Sequence, residues 1–447
     1  MDSHVTVKEA VLIIPSEPTP FKILALSALD SQLFLGFNIE YLLLYKPRPG
    51  WSDRGRVTAR LKAALAGALV PYYPLAGRVE ASPDGSRLEV VCRAQGALFI
   101  EAVADNIVMG DLERPPNHVT EWRGLLSLHL ADLLKEAPPL VVQLTWLADG
   151  AAALAVGIKH CLCDGIGSAE FLNSFAELAK LGGGLAALKL KAKTVWDRHL
   201  MDPPMPRRLS CGGVHGSGAQ THPEFSRVPD LCSFTSRFVN ERLVPTSITF
   251  NGASVDELKR LASSSCRLGD SAFTSFEVVT AHIWRSWARS LDLPPNQTLK
   301  LLFSVNVRSR VKPSLPSGYY GNAFVLACSQ ASAKDVTEKG LGFAAMLLKR
   351  AKDRVDDEYV RTVVETVSES TACPDSVGVL IVSQWSRLGL DRVDFGMGRP
   401  VGVGPVCCDR YCLLLPVHDR SDAVKVVVAL PASAADRYEC LVKSPCT

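Results

Sequence analysis

The chain has 447 residues, 49 Lys and Arg against 46 Asp and Glu, a formal charge of +3 and an apolar fraction of 47%. That length predicts two or three domains with large buried cores, and the near-neutral balance gives no reason to expect nucleic acid or an anionic membrane as the main partner. The 13 cysteines follow no disulfide-framework spacing, and their odd number predicts reduced thiols in a cytoplasmic protein.

Along the chain, the opening stretch ends its apolar run at Pro15, too short for a signal-peptide core. No apolar stretch approaches the roughly 20 residues that span a bilayer. Val57, Leu61, Ala64, Leu65 and Ala68 recur at helical spacing, which predicts an amphipathic helix from Arg56 to Leu69 that Pro71 and Pro74 stop. Leu88 to Cys92 and Leu98 to Val103 read as strands. Two apolar runs, from Leu140 to Trp146 and from Ala151 to Lys159, flank Asp149-Gly150, a pair suited to a tight hairpin turn. The second run is almost wholly apolar and is expected to be buried on both faces. It delivers His160 to the lip of a buried strand. A glycine-bearing loop follows, then a helix with Phe171, Leu172, Phe175, Leu178 and Ala179 on one face and Ser168 as its expected N-cap.

Met201 to Phe225 is rich in Pro, Gly and Ser and reads as a linker, dividing a domain at 1–200 from one at 226–447. In the second domain Thr274 and Glu277 have capping-box spacing ahead of a helical stretch. Leu301 to Arg308, Ser376 to Trp385 and Lys425 to Pro431 read as strands, the first two buried. Strands and helices alternate in both halves, so the expected fold is two α/β domains.

His160 and Asp164, followed by Gly165, carry the chemistry most plainly. A neutral imidazole at a strand end is a suitable general base for an alcohol or amine, although His at such a position is also a common structural residue. His160, Cys161, Cys163 and Asp164 lack the second ligand pair that a structural zinc site draws on, and Cys407 and Cys408 are adjacent, so no metal is expected. Nothing marks either cysteine as an activated thiolate, and no Gly-x-Ser-x-Gly elbow is present. Gly165-Ile-Gly167 lacks the third glycine of a dinucleotide fingerprint and reads as a tight turn. Asp394-Phe-Gly lacks the other kinase motifs and by itself is a glycine turn stopped by Pro400.

Taken together and in order, these pieces resemble a known family. His160-Cys-Leu-Cys-Asp164-Gly165 in mid-chain and Asp394-Phe-Gly-Met-Gly398 near the end are similar to the paired signatures of the plant BAHD acyltransferases. Tyr73-Pro-Leu-Ala-Gly-Arg78, Thr274-Ser-Phe-Glu277, Asn306-Val-Arg308, Tyr319-Tyr-Gly-Asn322 and Ser383-Gln-Trp385 resemble its further elements, so the likeness spans most of the chain. The resemblance implies two chloramphenicol-acetyltransferase-like domains, each a mixed sheet flanked by helices, with a channel between them.

It further implies acyl transfer from an acyl-CoA co-substrate, hydroxycinnamoyl being one donor group in use, to a hydroxyl or amine of a small plant metabolite. His160 is the implied base, and Ser383 and Trp385 are the implied oxyanion or acyl contacts. Asp164, Arg308, Asn322 and Asp394 are implied structural supports, with Asp164 paired to Arg308, and Thr274 and Ser275 are implied donor contacts. No metal or permanently bound cofactor is implied, and the expected state is a cytoplasmic monomer without nucleic-acid partner or membrane span. Met397 stands where the family usually has Trp, and Ser383 where it has Thr; the first puts loop packing in question more than activity. The rival reading is a non-catalytic partner protein in cuticular lipid metabolism, and a weaker one is a thioester hydrolase with water as acceptor. Retention of His160, Asp164, Asn322 and Trp385 favours catalysis.

Overall fold

The computed structural model of the protein describes residues 5–48, 53–113, 122, 125–126, 136–182, 194–202, 222–265, 272–369, 372–405 and 411–444. Most of the expected linker and the Cys407-Cys408 pair therefore lie outside the described residues. The chain forms two compact units, and neither is a single stretch of sequence. The first takes 1–202 and recruits 315–323 and 387–407 from later in the chain; the second holds 203–314, 324–386 and 408–447. Along the chain the first change of unit follows Asp202, and two later segments return to the first unit.

Numbering strands along the chain, the first unit holds β1 (Thr6–Ile13), β2 (Lys22–Ala25), β3 (Asn38–Tyr45), β4 (Arg78–Ala81), β5 (Leu88–Cys92), β6 (Ala97–Ala104), β7 (Leu140–Leu147), β8 (Ala152–Lys159) and β13 (Gly402–Pro405). Its main sheet runs β1-β6-β7-β8-β3-β13, and a small sheet runs β2-β5-β4. The main sheet is mixed, since β6 and β7 are parallel and the other pairs antiparallel. β7 is buried throughout and β8 at all but Lys159, as continuous apolar runs require. Gly150 between them has φ +82°, the left-handed region that glycine enters without steric cost. The returning strand β13 closes the far edge by pairing Gly402 with Leu44 and Gly404 with Leu42. Helices Arg54–Ala68 and Gly165–Lys180 pack together on this unit. The first opens two residues earlier than expected, because Asp53 caps it by accepting from the Arg56 amide at 2.9 Å.

The second unit holds β9 (Leu243–Phe250), β10 (Thr298–Asn306), β11 (Phe324–Ser332), β12 (Val379–Gln384), β14 (Tyr411–Val417) and β15 (Arg420–Pro431), in the order β11-β10-β12-β14-β15-β9. It too is mixed, with β12 parallel to both β10 and β14. Against it lies the helix Ser275–Ser290, which bears the expected capping box: Thr274 Oγ1 accepts from the Glu277 amide and the Glu277 carboxylate accepts from the Thr274 amide. Trp284 and Trp287 of that helix are fully buried. β12 was expected to be buried but alternates between buried and half-buried residues, so one face is covered more completely than the other. Each unit is thus a mixed sheet flanked by helices. Among the described residues, no helix is long and apolar enough to cross a membrane.

Candidate active site

Strand β8 ends at Lys159, and the chain turns at once into a single 3-10 turn, His160–Leu162. The turn is anchored at its start, where the His160 amide donates to the Phe37 carbonyl at 3.0 Å. The half-buried His160 ring meets the Phe37 ring edge-on, 5.2 Å between centroids. Its Nδ1 lies 3.1 Å from Oδ1 of Asn322, a residue wholly buried in the returning segment 315–323. Burial lowers the pKa of the imidazole below its ordinary value; a hydrogen bond to its own backbone, the charge of Asp164, the Asn322 contact and the charge of Asp30 oppose the shift without reversing it. The ring is therefore held neutral at physiological pH, the form a general base needs.

Asp164, not Ser168, caps the following helix Gly165–Lys180. Its Oδ1 accepts from the amides of Ile166 at 3.1 Å and Gly167 at 3.0 Å. Ser168 instead sits inside the first turn and donates its hydroxyl to the Asp164 carbonyl. The expectation failed because both residues are good caps by type and the glycines between them hid which one the helix begins on. The second carboxylate oxygen, Oδ2, accepts from the buried Ala323 amide at 3.1 Å. Three backbone donors thus fix the carboxylate as a strut between the active-site turn and the returning segment. Arg308, in the other unit, uses its backbone amide and one guanidinium nitrogen on the Asn306 side chain.

Cys161 and Cys163 are buried in the same turn, and burial pushes their thiols up to about 12 and about 11. Both stay protonated, so neither is a nucleophile at neutral pH. Among the described residues, no group of three or more His, Cys, Asp and Glu is placed to hold a metal ion.

The glycine loop at Asp394 is local architecture of the first unit. Asp394 Oδ1 accepts from the amides of Gly396 at 2.9 Å and Gly398 at 2.7 Å, and Oδ2 pairs with Lys180 at 3.2 Å. Burial raises its pKa, but Lys180 and the amides outweigh it and leave the carboxyl below its ordinary value. Phe395 packs on Phe175 and Tyr45, and Met397 is buried. Gly398 has φ +85°, a backbone conformation that strains any residue with a side chain.

In the second unit Trp385 follows β12. Its indole N–H donates to Ser383 Oγ at 2.9 Å. Ser383 is therefore an acceptor toward the indole and keeps its own proton to donate. Thr274 and Ser275 stand at the N-terminus of a 16-residue helix, the end that attracts anions.

Two residues of the His160 neighbourhood escaped sequence reading: Asp30 and Arg198. The only local sign was Ser27-x-x-Asp30, which forms a tight turn in which Asp30 Oδ2 accepts from the Ser27 amide at 3.0 Å and hydroxyl at 2.7 Å.

A family model described as "Transferase family" matches residues 3–439. A taxadien-5-alpha-ol O-acetyltransferase of Taxus chinensis is 33% identical over 98% of this chain and 96% of its own. A fatty alcohol:caffeoyl-CoA acyltransferase of Arabidopsis thaliana is 31% identical over 97% of each chain. Among solved structures, F. sporotrichioides TRI101 complexed with coenzyme A and T-2 superposes with a TM-score of 0.74 at 15% identity, covering 94% of this chain and 97% of that one.

Proposed function

The chain belongs to the Transferase family of BAHD-type, acyl-CoA-dependent O- or N-acyltransferases, and from that premise we propose that His160 is its general base and a small, largely apolar alcohol or amine its acceptor. The observation that carries the proposal is the imidazole at the end of β8, tethered at Nδ1 by Asn322, with burial lowering its pKa below the ordinary value. Nε2 takes the proton of the acceptor as its oxygen or nitrogen attacks the thioester carbonyl. The C=O π pair moves onto oxygen, giving a tetrahedral oxyanion. When that intermediate collapses, the C–S bond breaks, and the coenzyme A thiolate takes the proton back from the imidazolium. A base so placed contributes about 10²–10⁴ in rate.

The Ser383 hydroxyl, polarised by the indole N–H of Trp385, is the proposed donor to the oxyanion, a role worth roughly 10²–10³. Thr274 and Ser275, at the helix end suited to anions, are the proposed contacts of the donor's phosphates. The acceptor is read from Phe37, which packs on the imidazole and leaves apolar surface exposed. Coenzyme A is a co-substrate in this reading, with no resident cofactor. Hydroxycinnamoyl and acetyl are the donor groups to try first, on the strength of the relatives' names. The reduced-thiol pattern supports a cytoplasmic enzyme, working as a monomer.

The test is His160→Ala assayed by mass spectrometry with a panel of acyl-CoA donors and mixed plant alcohols and amines. Product formation should fall by at least about 10² with the circular dichroism spectrum unchanged. Unchanged turnover would remove His160 from the mechanism. The complete His160 network weighs against a non-catalytic partner protein.

A further inference from the structure

Behind Asn322 lie two charged side chains that the mechanism above does not use. Asp30 is 0% and Arg198 2% exposed, and they pair at 2.6 Å between Arg198 Nη1 and Asp30 Oδ2. Burying such a pair is costly unless every other polar group nearby is satisfied. Here, apart from Arg198 Nε, which is buried without a hydrogen-bond partner, the bonds of the pair are directional. Arg198 Nη2 donates to the Leu162 carbonyl at 2.7 Å, inside the turn that carries His160. Asp30 Oδ1 accepts twice from Asn322, from its backbone amide and from its side-chain Nδ2, both at 2.9 Å. The second proton on Nδ2 goes to the His160 carbonyl at 2.7 Å.

Both protons of the Asn322 amide nitrogen thus meet acceptors that cannot donate, a carboxylate and a backbone carbonyl. Flipping the amide would set its oxygen against both, replacing two hydrogen bonds by two acceptor–acceptor repulsions. Asn322 must therefore present Oδ1 to the imidazole. An oxygen facing Nδ1 accepts, so Nδ1 carries the hydrogen and the lone pair stands on Nε2.

We infer that Asp30, held in place by Arg198, is a positioning residue that fixes the orientation of the Asn322 amide and through it the imidazole tautomer in which His160 Nε2 is basic. This rests on the reading of His160 as base, and the charge is essential to it. Asn at position 30 would have the same shape but could turn an NH₂ toward Asn322, removing one of the two repulsions that forbid the flip, so that a flipped amide could present a donor to Nδ1. The imidazole would then hold its proton on Nε2, where it cannot act as a base.

The experiment compares wild type, Asp30→Asn, Asn322→Leu and His160→Ala, using ¹⁵N-histidine NMR of the full chain and steady-state kinetics, with His160→Ala also serving to assign the ring signals. In Asp30→Asn the His160 resonances should move from the Nδ1–H toward the Nε2–H pattern. The turnover number should fall about ten- to a hundredfold while KM holds within about twofold. Asn322→Leu leaves Asp30 with Arg198, Ser27 and the backbone amide at 322 and removes the side-chain oxygen that faces Nδ1; a shift toward a mixed-tautomer spectrum and a smaller loss of turnover are expected. An unchanged Nδ1–H spectrum in Asp30→Asn overturns the inference, whatever the rate. If Asp30→Asn does not fold, an unchanged spectrum in Asn322→Leu does the same. An active His160→Ala would instead defeat the base reading, and the tautomer spectra would still judge the Asp30 network.

Discussion

At the residue scale, the lowered pKa of His160 has a definite sign. Burial disfavours the imidazolium, so the basic form persists on acidification to below the ordinary histidine value of about 6.5. The acid limb of kcat/KM should therefore fall below about pH 6.5, and a limb at or above that value would contradict the geometry. The same shift links to stability: the unfolded chain takes up the proton first as pH falls, so the contribution is present above about 6.5 and is lost on acidification. Asp164 gives a second prediction. Removing it strips a helix cap, about 0.5–2 kcal/mol, and orphans the buried Ala323 amide, about 1–3 kcal/mol. Asp164→Ala should cost about 1.5–5 kcal/mol in urea unfolding as well as activity, whereas His160→Ala should lower activity alone. Of the site, His160, Asp164 and Asn322 were legible because they sit in compact motifs. Asp30 and Arg198 were not, since a lone Asp and a lone Arg 168 positions apart carry no local mark of being buried together.

At the scale of elements, legibility followed how local the cause was. The β7–β8 hairpin, the helix after Thr274 and the helix after Asp164 announce themselves by apolar period, turn residues and caps. Strand β1 gave no such signal, because nearly all of it is exposed, and β13 is four residues long, recognisable only beside β3. The active-site turn is also sterically tight. A Cβ on Gly167 would stand 2.8 Å from the Cys163 Cβ, so Gly167→Ala must push the cap away from the turn that carries His160. Overpacking of this kind costs about 1–3 kcal/mol. A lowered melting temperature together with a lowered turnover number is expected, and a fully active, equally stable variant would show that the turn yields freely. On the other unit Thr274→Ala should cost about 1 kcal/mol through the broken capping box, measured by the same melts.

At the scale of the molecule, the first unit is completed by residues that come late in the chain. Residues 1–202 alone lack β13 and Asn322, so Asp30 loses two of its donors and β3 loses its edge partner. That fragment, expressed by itself, should not give a cooperative melt, and adding 203–447 in trans should restore one; an independently folded 1–202 would refute this. Composition marks a Pro-, Gly- and Ser-rich stretch from Met201 to Phe225, but it says nothing about which distant strand a sheet edge is waiting for.

That waiting has a cost during protein synthesis. The ribosome finishes residue 202 roughly 200 residues before it finishes 407, an interval of about 10–40 s at usual elongation rates. Throughout it, the segment that becomes β3, with Leu42, Leu43 and Leu44 buried in the finished fold, lacks its edge partner and offers unpaired apolar backbone to any neighbour. Yield of this protein in a heterologous host should accordingly depend on chaperones that shield emerging chains, and on slow growth, more than on the intrinsic stability of the finished fold.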